Sequence, residues 1–167
     1  GLITTTLVAA PVRSRVVMAK TLVTAGSLFV ATLPAAAVAF LIGRWLLDPG
    51  YAMGEPWPAL VGVAAHLATA GALGIAIGLL LRHSGGAISA IVAIALLPGL
   101  LGPLFGDLQP WVAGASPIAA LEKMTQTSDA LPQVVGTLGA WPSLAITVAT
   151  TAALVVVAGW RLRSRDA

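Results

Sequence analysis

Residues 56–81 read PWPALVGVAAHLATAGALGIAIGLLL, a run between Glu55 and Arg82 without one Asp, Glu, Lys or Arg. About 20 such residues, rising about 1.5 Å each, cross the roughly 30 Å of hydrocarbon in a bilayer as a helix. Three further stretches, 21–44, 84–106 and 139–160, have the same character, the first broken by a charge only at its last position, Arg44. Polar and apolar residues do not alternate in any of the four, as a barrel strand requires, so helices are the only spanning form left. The expected spans are therefore 21–44, 57–81, 84–106 and 139–160, in an all-α integral membrane fold.

The whole chain agrees with these runs. Of 167 residues, 58% are hydrophobic and 9% charged, and the mean hydropathy is +0.96. A soluble domain carries about 25% charged residues, so there is too little polar surface here to cover a soluble fold. Disorder needs the opposite composition. Eighteen glycines and eleven prolines without a three-residue period exclude collagen. The absence of cysteine excludes disulfides, thiolate metal sites and a cysteine nucleophile. A net charge of +3 and a pI near 10.2 do not mark a nucleic-acid binder, because the basic residues stand at the edges of the apolar runs.

Those edges predict orientation. With alternating spans, Arg13, Arg15, Lys20, Arg82, Arg161, Arg163 and Arg165 fall on one side and only Arg44 and Lys123 on the other. Basic flanks stay in the cytoplasm, so segment 1–20, the turn after residue 81 and the basic tail 161–167 are expected there, in a multi-pass protein of the cell membrane. Trp45, Tyr51, Trp57, Trp111 and Trp141 gather at the opposite ends, where amphipathic rings favour the interface. Residues 107–138 form the longer external loop. Within it Ser116-Pro117 is a helix start, and Ile118, Leu121 and Met124 share a face. A short amphipathic helix on the outer surface and an irregular loop with one helical turn both fit this segment.

Reactive groups are few. His66 lies inside the second span with no acidic partner in its run, which suits an interhelical packing group or a pathway residue better than a zinc site. His83, next to Arg82, reads as an interfacial polar cap. Gly114-Ala115-Ser116 lacks the second glycine of a nucleophile elbow. No G-x-x-x-x-G-K-[ST] occurs, so the chain has no P-loop of its own. No metal site and no enzymatic centre are expected. Gly74 and Gly78 make one G-x-x-x-G step that permits close helix approach. Pro34 and Pro98 lie inside the first and third spans, where proline removes a backbone donor and bends a helix.

The opening, 1–20, reads GLITTTLVAAPVRSRVVMAK. It resembles the intracellular coupling segment of type-2 exporter permeases of the ABC transporter class, actinobacterial members especially. Gly1, Ile3, Thr5, Thr6, Leu7, Pro11, Arg13, Arg15, Ala19 and Lys20 match in order and spacing. Thr4 and Val12 stand where a basic residue is common. Leu81 to Ile88 looks like the family's short turn between consecutive helices, and Gly159 to Ala167 like its basic ending. The resemblance implies a six-helix permease fold of which this chain holds helices three to six, with the first two lying before residue 1.

It also implies a role. A permease of this kind forms a translocation pathway with a second permease half, identical or related. It is driven by a separate ABC ATPase that carries the ATP and magnesium, and this chain would hold no cofactor. Thr5, Thr6, Leu7, Pro11, Arg13, Arg15 and Lys20 would contact that ATPase, and Pro34, His66, Gly74, Gly78 and Pro98 would line the pathway or pack its helices. Spans rich in Ala, Leu, Val and Gly suit an apolar or amphipathic substrate, as in multidrug or antibiotic efflux from bacteria. The other function that fits the composition is a non-transporting structural or regulatory membrane protein assembling through Gly/Ala helix faces.

Overall fold

The computed structural model describes residues 13–47, 56–125 and 135–164. They form six α-helices: α1 Arg13–Leu46, α2 Pro56–Leu81, α3 Ser84–Leu101, α4 Gln109–Gly114, α5 Pro117–Thr125 and α6 Ala140–Ser164. A 3₁₀ segment, Gly102–Leu108, joins α3 to α4, and among the described residues there is no strand. Four helical stretches are long and apolar enough to cross a membrane: Arg15–Leu46, Pro56–Leu81, Ser84–Gly114 and Ala140–Leu162. The protein is an all-α, membrane-spanning chain.

The four long helices run alternately up and down around α2, which touches α1, α3, α5 and α6. Half of the most apolar stretch of α2 is buried, against none of α1 and little of α3. Small residues make that central place possible. Ala64, Ala72 and Ala76 are buried on α2, and Leu73 and Ile77 pack with Ala87 of α3, flanked by Leu154 of α6. In a bilayer such contacts gain by close packing rather than by escape from water. The ends of the bundle differ in charge. Arg15, Lys20, Arg82 and Arg161 lie at one end, here called the basic end. The far end holds Arg44 and the α4–α5 region.

A cap closes the far end. The fully buried Ser143 donates its hydroxyl to the Gly114 carbonyl, tying the start of α6 to the end of α4. Lys123 of α5 donates from Nζ to the Leu138 carbonyl, and burial pushes its ammonium below the ordinary lysine pKa. The Thr137 N–H donates to the Pro110 carbonyl at 3.2 Å. Gly136, at φ 79°, lies against Gly114 and Pro110 so closely that there is no room for a side chain.

Two helix boundaries differ most from the sequence expectation. The first helix starts at Arg13 instead of residue 21 and spans 34 residues, about 51 Å at 1.5 Å each. Nothing between Arg13 and Lys20 breaks a helix, so it continues past the apolar run. The third ends at Leu101 instead of 106, where Gly102-Pro103 brings in the 3₁₀ segment, which contains Gly106 at φ 52°. The segment after the third span holds a helix, α5, capped by the Ser116 hydroxyl accepting from the Ala119 N–H. Its buried residues are Ala119, Ala120 and Met124, while Ile118 and Leu121 are only partly covered. Alanines let α5 approach α2 and α6 more closely than Ile or Leu would, which decides the buried face.

Candidate functional site

Polar side chains line the inside of the α1–α2–α6 cluster. Ser143, Thr147 and Thr151 recur every four residues on α6 and are all buried, as are His66 on α2 and Thr21 on α1. A threonine inside a helix normally satisfies its hydroxyl on the carbonyl one turn back. Thr69 does so to Ala65 at 2.7 Å, and Thr147 does so to Ser143 at 3.0 Å. The Thr21 and Thr151 hydroxyls and His66 Nδ1 are buried without a hydrogen-bond partner.

Next to this seam lies a groove of about 670 Å³. One wall is α1 (Val17, Met18, Thr21, Leu22, Ala25) and the other is α6, from Val148 to Trp160, with Ala68, Thr69 and Ala72 of α2 as its floor. The groove runs from the middle of the bundle to the basic end. Leu22, Val156 and Trp160 stand exposed along its rims, so it opens sideways into the surrounding membrane. No charged group lines it. Such a site can hold an apolar body and offers as polar side-chain groups the hydroxyls of Thr21, Thr69 and Thr151 and the indole N–H of Trp160.

The residues singled out in the sequence fall in several places. Thr5, Thr6, Leu7 and Pro11 lie outside the described residues, and Arg13 opens α1. Arg15 and Lys20 are exposed on the first turns of α1. Pro34 and Pro98 lie within α1 and α3, and both helices continue through them. His83 caps α3, its Nδ1 accepting from the Gly86 N–H at 3.0 Å. Gly78 has open space where a Cβ would stand, and Gly74 has only Ile91 within reach, at 3.8 Å. The tight glycines of α2 are instead Gly71, against Leu28 of α1, and Gly62, against Met124 of α5. His66 is one helical turn from Gly62. Among the described residues no three His, Asp or Glu side chains gather as a metal site would need.

Ser143, Thr147, Thr151 and Thr21 are not among the residues expected from the sequence. For the three on α6 the signal is a polar residue at every fourth position, 143, 147 and 151, of a mostly apolar helix; Thr21 carries no such signal.

Two substitutions separate the partnered from the unpartnered hydroxyls. Ser143→Ala is expected to lower stability by about 1–3 kcal/mol, because the buried Gly114 carbonyl loses its donor. Thr151→Val keeps the shape and removes an unsatisfied buried hydroxyl, so it should raise stability by about 0.5–1.5 kcal/mol. Thermal unfolding midpoints in one detergent would show the two moving in opposite directions.

Comparison with protein-family models, with curated proteins and with solved structures returns no match.

Proposed function

We propose that this chain is part of the membrane-spanning permease subunit of an ABC exporter. In this reading it contributes to a pathway for an apolar or amphipathic substrate, pairs with a second permease half and is driven by a separate ATPase. The basic end lies in the cytoplasm, and segment 1–20 is the contact with the ATPase. The resemblance of residues 1–20 to the coupling segment is the observation that carries the proposal. The form of α1 supports it. Arg13 to Leu46 is one continuous helix, longer than the bilayer requires, so a push on its basic end is passed into the membrane along the turns that precede Pro34.

The test is recovery of the ATPase with the complete permease. Thr6→Glu or Leu7→Glu places a carboxylate in a closely fitted contact without a partner, at a cost of about 1–3 kcal/mol. That corresponds to an about five- to hundredfold loss of affinity. Co-purification of the ATPase at equal membrane levels of permease should fall accordingly. Equal recovery with both variants would remove the coupling assignment and favour the structural or regulatory reading.

A further inference from the structure

We infer that the groove between α1 and α6 holds one acyl chain of an anionic phospholipid, with its phosphate at Arg15. The inference does not depend on transport, since it uses only the groove and its rim, and it gives Arg15 to the lipid, leaving the rest of segment 1–20 for the ATPase contact. Three observations define the occupant.

The first is position. The α6 wall from Val148 to Trp160 is about 18 Å long at 1.5 Å per residue, close to the roughly 15 Å of one leaflet's hydrocarbon. The groove ends at the basic end of the bundle and is open along its side, so a chain can enter from the leaflet without crossing a barrier.

The second is lining. Apart from Thr21, Thr69 and Thr151 the walls are aliphatic, with Trp160 at the mouth. An acyl chain already in lipid gains nothing by leaving water. Retention therefore rests on fit within the groove and on the head group.

The third is charge. Arg15, Met18 and Leu22 recur at i, i+3 and i+7 and so follow one stripe of α1. Met18 and Leu22 line the groove, and exposed Arg15 stands on the same stripe toward the basic end. A long arginine side chain keeps its stem on apolar surface and its guanidinium among head groups, where it pairs with phosphate in bidentate fashion. Trp160 marks the same depth, since tryptophan settles at the interface. The other four tryptophans, Trp45, Trp57, Trp111 and Trp141, belong to the far-end flanks of the spans.

The experiment is mass spectrometry of the intact protein after reconstitution in vesicles of equal phosphatidylglycerol and phosphatidylcholine. The expected result is one retained phosphatidylglycerol per chain. Arg15→Gln should reduce the preference for phosphatidylglycerol about fivefold, while Lys20→Gln, off the groove stripe, should leave it unchanged. Ala152 is exposed and lines the groove, so Ala152→Leu fills it and should abolish retention. Ala153→Leu, exposed on the same helix outside the groove, should not. On the unsubstituted chain, phosphatidylglycerol with brominated acyl chains should quench the emission component that Trp160→Phe removes. Equal retention in Ala152→Leu and Ala153→Leu, equal effects of Arg15→Gln and Lys20→Gln, absence of Trp160 quenching, or a lipid-free dimer would each overturn the assignment.

Discussion

Gly136→Ala is expected to destabilise the protein by about 2–5 kcal/mol, the largest effect of a methyl group added at any described glycine. Two costs combine. At φ 79° the added Cβ costs about 1–2 kcal/mol through its own backbone. It also falls on the Gly114 backbone and the Pro110 carbonyl, and overpacking against atoms that cannot rotate away adds about 1–3 kcal/mol. Moving the backbone to relieve the clash would pull Thr137 from Pro110 and separate the cap from α6. Gly106→Ala supplies the comparison, because Gly106 also has positive φ but open space around it, so only the backbone cost applies. Gly78→Ala, helical and unobstructed, should be neutral or gain about 0.5–1 kcal/mol. Unfolding midpoints should therefore rank Gly78→Ala highest, then Gly106→Ala, then Gly136→Ala. A Gly136→Ala midpoint equal to that of Gly106→Ala would mean the cap is not packed as described.

The second large effect is all-or-none. With the basic end in the cytoplasm, a cysteine at Ser84 is shielded from an impermeant thiol reagent in intact cells, and one at Thr137 is labelled. Both side chains are exposed, and they belong to opposite ends of the bundle. The natural chain has no cysteine, so the background is clean. The expectation rests on the seven basic residues grouped at one side against two at the other, the asymmetry that sets membrane orientation. After permeabilisation both positions should label, which shows that each is reactive. Labelling at Ser84 and protection at Thr137 in intact cells would invert the orientation and place segment 1–20 outside, where no ATPase could meet it.

The spans were legible because about twenty residues without charge leave a helix in lipid as the only solution. Their ends were not, since a charge marks where hydrocarbon stops and not where helical hydrogen bonding stops. Arg13 to Lys20 continue α1 for that reason. Gly102-Pro103 did carry a visible stop signal, but the apolar run through Phe105 masked it. The tight glycines were hidden in another way. Gly71 and Gly78 look alike in the sequence, and only the partner distinguishes them: Leu28 meets the first and nothing meets the second. The buried face of α5 misled because large apolar residues usually mark a packing face, whereas Ala119 and Ala120 won by allowing closer approach. The candidate groove could not be read from the sequence, since its walls come from α1, α2 and α6 and its residues resemble those facing lipid.

The hydroxyls of α6 bear on how the protein is made. A helix entering the bilayer from the translocon is judged alone, before any neighbour can supply a hydrogen bond. Thr147 and Thr150 donate to carbonyls of their own helix, at Ser143 and Ile146, so they carry their partners with them during insertion. Ser143 finds its acceptor only when Gly114 is already in place. α6 can thus enter with these two hydroxyls already satisfied and dock afterwards. Its first turn then joins a cap whose other parts were synthesised earlier.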